Sequence, residues 1–128
     1  MRTYYIVFER AQYRRRWHRF TGLDYAHCYA FYQHNDQTVV INQSIRFMGV
    51  EVLDRHIGDV IAEVIANDAT AIISYKAHYH YANIEMFKYL FTCVGVVKSL
   101  LNIQSRAITP KQLYKTLKKK GKVIWEAY

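Results

Sequence analysis

Residues Phe91–Ile103, with the sequence FTCVGVVKSLLNI, contain one of the two cysteines of the chain and decide how the rest is interpreted. The apolar residues after Cys93 recur at three- and four-residue spacing, which is typical of a buried helix. Thr92 can cap that helix, which would place Cys93 in the first turn. The helix dipole is positive there and stabilises a thiolate. The alternative is that Cys93 only begins a core helix, since free cysteines are among the most buried residues.

The chain has 128 residues, of which 52% are hydrophobic, and this predicts one compact domain over residues 1–128. No uncharged apolar run reaches about 18 residues, so we expect no membrane span. The N-terminus lacks the apolar stretch and cleavage site of a signal peptide. Two cysteines without such a signal indicate free thiols in a reducing compartment such as the cytoplasm.

Basic residues outnumber acidic ones by 18 to 10, and the net charge of +8 favours a polyanion or an acidic partner surface. Cations are mixed with aromatic residues in one cluster around Arg14, Arg15 and Arg16, and a second group of cations follows at Lys118, Lys119 and Lys120. Such clusters suit phosphate contact and base stacking, so nucleic-acid binding is one hypothesis. Solvated charged faces are the simpler interpretation, because no recognised DNA- or RNA-binding motif accompanies them.

Six segments have the composition of strands. Thr3–Phe8 is rich in β-branched and aromatic residues. Three further segments predict an antiparallel meander with a turn near residue 35, and they cover 24–34, 38–43 and 45–54. Thr70–Lys76 predicts another strand, and Val123–Trp125 predicts a short terminal one.

Two further helices are predicted besides the one that begins near Cys93. Apolar residues between 54 and 66 change to helical spacing. Thr109, Pro110 and Gln112 have the pattern of an N-cap, a first-turn proline and a capping box, and Gly121 is expected to end this helix. One α+β domain is the simplest account of these elements.

A nucleophilic cysteine needs a base, and the base needs a third group to orient it. His27 is the candidate base for Cys93. A hairpin that turns near residue 35 places position 27 opposite 42 to 44. Asn42 and Ser44 are polar residues in this window that would lie on the same face of the hairpin as His27, and Asn42 is the preferred orienting group. The alternative is that His27 is an ordinary strand residue whose hydrogen bonds are satisfied and that has no catalytic role.

We predict no cofactor and no metal site. His78 and His80 would present two imidazoles on one face of an extended segment, and His27, His34 or Cys28 could join them. Carboxylates or cysteines at set spacing do not accompany this pair, so the signal for a metal is weak.

The order of these segments resembles the circularly permuted papain-like proteins of the NlpC-type superfamily, especially small phage and bacterial versions. The matching segments are Asp24–His27, Phe91–Ile103 and Thr109–Tyr114, so the resemblance covers roughly residues 24 to 118. In that superfamily the strand that bears the histidine precedes the helix that bears the cysteine. The resemblance implies a papain-like α+β fold, in which an antiparallel meander or small barrel packs against the cysteine helix.

The resemblance also implies a cysteine peptidase or amidase with Cys93 as nucleophile, His27 as base and a polar orienting residue. Asn42 is the preferred orienting residue, and Gln43 and Ser44 stay open as alternatives. The implied substrate is an amide or ester in a peptide, in peptidoglycan or in an isopeptide, attacked by thiolate to give an acyl-enzyme. No extra substrate-binding insertion is evident in this short chain.

A structural role is the main alternative to an enzyme. Small phage proteins with this fold could pack between other virion subunits, with Cys93 an inactive thiol. The expected location is then a virion, whereas an enzyme would be expected in the cytoplasm of the host. Stoichiometric co-purification with a particle would support the structural role, and hydrolase activity lost in Cys93→Ala would reject it.

Overall fold

The computed structural model describes residues 1–10, 25–43, 48–78 and 93–127. Six strands form one antiparallel sheet, and they are β1 Arg2–Glu9, β2 His27–His34, β3 Gln37–Gln43, β4 Met48–Leu53, β5 Ala69–Ala77 and β6 Lys122–Glu126. The described helices are α1 Ile57–Ala66, α2 Cys93–Leu101 and α3 Pro110–Lys120. The α+β class predicted from the sequence is confirmed.

The sheet order is β4-β3-β2-β1-β5-β6, which places the first strand of the chain in the interior of the sheet. Three successive residues of β1, Ile6, Val7 and Phe8, have no exposed surface. Successive side chains of a strand point to opposite faces, so burial of all three requires cover on both faces. β1 pairs with β2 on one side and with β5 on the other.

Each face of the sheet packs against its own helical layer. Ile6, Phe8, Cys28 and Ala30 belong to the apolar cluster that includes the buried residues of α2 and α3. Residues of the opposite parity, among them Val7 and Phe31, pack on the other face with residues of α1. Alternation along β1 and β2 therefore separates the two halves of the core.

The meander formed by β2, β3 and β4 agrees with the prediction. The β2–β3 ladder runs from Ala30 opposite Ile41 to His34 opposite Gln37, and the turn contains Asn35 with a positive φ of 54°. Asparagine tolerates that left-handed backbone better than most residues. β4 and β6 lie at the two ends of the sheet order, so the meander describes this arrangement better than the small barrel does.

The start of α3 has the geometry that its sequence predicts. The Thr109 hydroxyl accepts a hydrogen bond from the Gln112 backbone N–H at 3.2 Å, and the Gln112 side chain accepts from the Thr109 backbone N–H at 3.3 Å. Pro110 occupies the first turn, and the chain leaves the helix at Gly121. The capping box and its proline therefore fix where this helix begins.

Several predictions fall outside the described residues. They concern the basic cluster at Arg14, Arg15 and Arg16, the second histidine of the His78–His80 pair, and the cap at Thr92. The helix predicted over 54–66 begins at Ile57, because the His56 imidazole caps it by accepting from the Gly58 backbone N–H.

Candidate active site

His27 is the first residue of β2 and Asn42 lies near the end of β3, on the same face of the sheet. The His27 Nε2 and Asn42 Oδ1 atoms are 2.6 Å apart. A carbonyl oxygen can only accept a hydrogen bond, so Nε2 carries a proton and donates the hydrogen bond to Oδ1. The Tyr29 ring lies beside the imidazole, with centroids 6.2 Å apart and planes within 30°. The imidazole is thus held from two sides, and Nδ1 is left for another partner.

Cys93 is the first residue of α2 and is half-buried. Its sulfur is a hydrogen-bond partner of the His27 imidazole and of the Cys28 thiol, and it also accepts from the Cys28 backbone N–H. His27 and Cys28 are neighbours at the start of β2, and α2 packs on the face that carries Cys28. The start of this strand therefore meets the start of the helix at the Cys93 sulfur.

The pKa of Cys93 is lowered from its usual value of 9.0 to about 4. The hydrogen bond from the Cys28 thiol is the largest cause, and burial of the sulfur opposes it. The hydrogen bond from His27, the Cys28 backbone N–H and the charge of His27 lower the pKa further. These groups stabilise the thiolate because each donates a hydrogen bond to it or places positive charge beside it.

The pKa of His27 is raised above its usual value of 6.5. Burial of the ring acts in the lowering direction, but the hydrogen bond and the charge of Cys93, the hydrogen bond to Asn42 and the charge of Glu9 together outweigh it. The Cys93 thiolate therefore favours the protonated imidazole of His27, and the protonated imidazole in turn favours the thiolate.

Cys28 differs from Cys93 although both are free thiols. It has no exposed surface, and burial raises its pKa well above the usual value, with the hydrogen bond to Cys93 acting in the same direction. Cys28 therefore keeps its proton and donates a hydrogen bond to the Cys93 sulfur. Sequence reasoning did not include this residue in the site, because Cys28 points to the opposite face of β2 from His27.

An open groove of about 350 Å³ lies next to Asn42 on the face of the sheet that packs against α1. Tyr29 and Glu9 contribute to one part of its lining, and Arg55 and Glu63 to another. The Tyr29 hydroxyl hydrogen-bonds to the Glu9 carboxylate, and Arg55 forms an ion pair with Glu63. Asn42 and Tyr29 line this groove and also lie against the imidazole of His27.

The structure brings together Cys93, His27 and Asn42, the three residues chosen from the sequence. Ser44 lies outside the described residues, and Asn42 is the alternative that hydrogen-bonds to His27. The role of these residues in catalysis stays a prediction. Within the described ranges, no group of three or more His, Cys, Asp or Glu side chains is arranged to hold a metal ion.

The second basic cluster lies at the end of α3. Lys118 forms an ion pair with Glu126 at 2.9 Å and lies 5.5 Å from the centre of the Tyr114 ring. Lys119 and Lys120 are exposed in the same last turn, where cations stabilise the helix dipole. These contacts give the cluster a structural role that does not depend on nucleic acid.

No protein-family model, curated protein or solved structure matches the chain. Among the described parts of the chain, no helix combines the length and apolar character that crossing a bilayer requires.

Proposed function

We propose that the protein is a papain-like cysteine hydrolase that attacks an amide or ester through Cys93, with the permuted order of histidine and cysteine. The observation that carries the proposal is the hydrogen bond between His27 Nε2 and Asn42 Oδ1 at 2.6 Å, together with the lowering of the pKa of Cys93 by the same imidazole. A nucleophile, a base and an orienting amide in that order are what cysteine-based acyl transfer requires.

The first half of the reaction forms an acyl-enzyme. The Cys93 thiolate attacks the carbonyl carbon of the substrate, and the carbonyl electron pair moves to its oxygen. The backbone N–H of Cys93 at the start of α2 is suited to stabilise that oxyanion. The His27 imidazolium then gives its proton to the leaving amine or alcohol as the bond to the carbonyl carbon breaks.

The second half releases the acid. Neutral His27 accepts a proton from a water molecule while the water oxygen attacks the thioester carbonyl. The bond from carbon to Cys93 sulfur then breaks, and the thiolate–imidazolium pair is restored. Asn42 keeps the Nε2–H of His27 occupied through both halves, so Nδ1 is the nitrogen that exchanges the proton.

Exposure and pKa of the thiol distinguish this hypothesis from an idle core cysteine. Cys93 is half-buried, so a small reagent can reach it. An ordinary thiol reacts fully only above its usual pKa of 9.0, whereas the pKa of Cys93 is lowered to about 4. The substrate class within amides and esters, whether peptide, peptidoglycan or isopeptide, follows from the family resemblance alone.

The test is the rate of alkylation of the full chain by iodoacetamide, measured as a function of pH for the unmodified protein, His27→Ala and Cys93→Ala. We expect modification at Cys93 with an apparent pKa well below 9.0, and a rise of that pKa in His27→Ala. His34→Ala, a change of an exposed histidine at the other end of the same strand, serves as the matched control. A thiol that reacts only above about pH 8 and ignores the His27 change would refute the proposal and favour the structural role.

A further inference from the structure

A second thiol lies against the sulfur of the candidate nucleophile, and the hydrolase mechanism transfers nothing to or from it. Cys28 directs both its S–H and its backbone N–H at the Cys93 sulfur. Cys93 also packs against the apolar cluster that contains Cys28. Both thiols are reduced in this structure. The helix that begins at Cys93 packs on β2, and both thiols lie in the apolar layer between these two elements, so they are placed to react with one another.

The two thiols differ in access to solvent. Cys28 is completely buried under α2, whereas Cys93 is half-buried. A small oxidant that diffuses in from solvent therefore meets Cys93 first. Cys93 is also the thiol held as thiolate, and the thiolate is the form that reacts with peroxides. Cys28 stays protonated behind it.

We propose that Cys93 and Cys28 form a reversible disulfide bond when a hydroperoxide oxidises Cys93. In the first step the Cys93 thiolate attacks one peroxide oxygen, the O–O bond breaks, and Cys93 becomes a sulfenic acid while hydroxide, or an alkoxide from an organic hydroperoxide, leaves. In the second step the Cys28 sulfur attacks the Cys93 sulfur and the S–O bond breaks. The departing hydroxide takes the Cys28 proton and leaves as water. Two thiols lose two electrons in total, and the peroxide gains them.

The disulfide has a direct consequence for the site. The Cys93 electron pair that would attack a carbonyl is used in the S–S bond, so the oxidised protein has no nucleophile. The bond also keeps Cys93 from irreversible oxidation to sulfinic acid, because Cys28 reacts with the sulfenic acid first. Loss of hydrolysis on oxidation rests on the proposed function, but formation of the bond does not.

The test treats the reduced full chain with a small excess of hydrogen peroxide and measures its intact mass. We expect a loss of two hydrogen atoms, with no dimer, and restoration by dithiothreitol. Tryptic digestion without reduction should yield one cross-linked product of residues 20–46 and 89–98, which contain Cys28 and Cys93. Cys28→Ala should instead gain oxygen atoms at Cys93 that dithiothreitol does not remove.

Gain of oxygen atoms at Cys93 in the unmodified chain, at the same rate as in Cys28→Ala, would overturn the proposal. Disulfides only between chains would overturn it as well. The cross-linked peptide is measured in the unmodified chain, so the result stands even if Cys28→Ala folds poorly. No substrate is used, and iodoacetamide kinetics on the reduced protein test the hydrolase separately, so failure of one proposal is distinguishable from failure of the other.

Discussion

His27 Nε2 lies 2.6 Å from Asn42 Oδ1, although the two residues are not direct partners across the β2–β3 ladder. The last pair of that ladder is Ala30 opposite Ile41. Continuing the same register places Asn42 opposite Tyr29, which is two residues from His27. The bond is therefore a diagonal contact on one face of the sheet, a distance that long side chains can span. The geometry of the hairpin, rather than direct pairing, selects Asn42.

Asn42→Ala removes the acceptor for the Nε2–H of His27. A hydrogen bond to a charged group contributes about 1.5 kcal/mol, so the thiolate–imidazolium pair should weaken by roughly a factor of ten. We expect a higher apparent pKa of Cys93 and slower alkylation at mildly acidic pH. Stopped-flow or mass-spectrometric alkylation rates would measure this. Gln33→Ala on the same strand is the control, and equal rates in both variants would contradict a role for Asn42.

Cys28→Ala removes the largest cause of the low pKa of Cys93. We expect the apparent pKa of Cys93 to rise in Cys28→Ala. The rise should be smaller in Cys28→Ser, because the serine hydroxyl can still donate a hydrogen bond to the Cys93 sulfur. Both variants are close to the size of the buried thiol and should cost about 1 kcal/mol of stability. The pH dependence of thiolate absorbance would separate the variants. An unchanged pKa in Cys28→Ala would show that the Cys28 thiol does not stabilise the thiolate.

Local sequence signals predicted the start of α3 and the hairpin well. The capping box at Thr109 and the turn at Asn35 depend on residues close in sequence, and both are present. Asn42 could also be predicted from the sequence, because strand parity and the position of the turn leave few residues that can lie near His27.

Long-range placement was harder to predict. Nothing in the sequence places β1 between β2 and β5, since that order depends on which strands bury most apolar surface together. Cys28 was missed because alternation puts it on the opposite face from His27, and only the position of α2 at the start of β2 brings Cys93 close to both residues. The position of a helix over a sheet is decided by packing of the whole core.

Gly121 joins α3 to β6 in a confined space. A Cβ built there would lie 2.5 Å from the Ser74 backbone oxygen and 2.9 Å from the Ile73 side chain. Gly121→Ala should therefore destabilise the protein by about 2 kcal/mol, because backbone must shift to admit the methyl group. Chemical denaturation would measure the loss.

Gly58→Ala is the contrasting variant for that experiment. Its Cβ would meet the His56 ring at 3.4 Å, a contact close to ordinary van der Waals distance. Gly58 lies in the first turn of α1, and alanine is favoured over glycine by up to about 1 kcal/mol within a helix, so this variant should be neutral or more stable. Equal losses in both variants would show that close contact at Gly121 is not the cause.

Lys98 is a charged side chain in the buried layer between α2 and the segment before α3, with 5% exposure. Its ammonium donates to the Ser105 carbonyl at 2.5 Å and the Ala107 carbonyl at 3.0 Å. Lys98→Met leaves those acceptors without this donor and should lower the free energy of unfolding by about 2 kcal/mol. The exposed Lys115→Met is the control. A loss no larger than that of the control would contradict this role.

The shifted pKa values of Cys93 and His27 make stability depend on pH in a definite direction. Folding lowers the pKa of Cys93 from 9.0 to about 4, so between these values the unfolded chain binds more protons and stability rises with pH. Folding raises the pKa of His27, so its contribution is complete below 6.5 and is lost as pH rises through the folded value. Only the Cys93 contribution changes between about 4 and 6.5, and above 6.5 the two contributions oppose one another.

Cys93→Ala removes the thiolate, so the stability advantage of the unmodified chain over this variant should grow as pH rises from about 4 to 6.5 and change little just above that range. Urea denaturation at several pH values, followed by circular dichroism, would measure the difference. His27→Ala should show a smaller slope, because Cys93 loses one of its donors and its folded pKa rises. A difference that stays constant over this interval would mean that Cys93 remains protonated in the folded protein, and the thiolate on which the proposed chemistry depends would be absent.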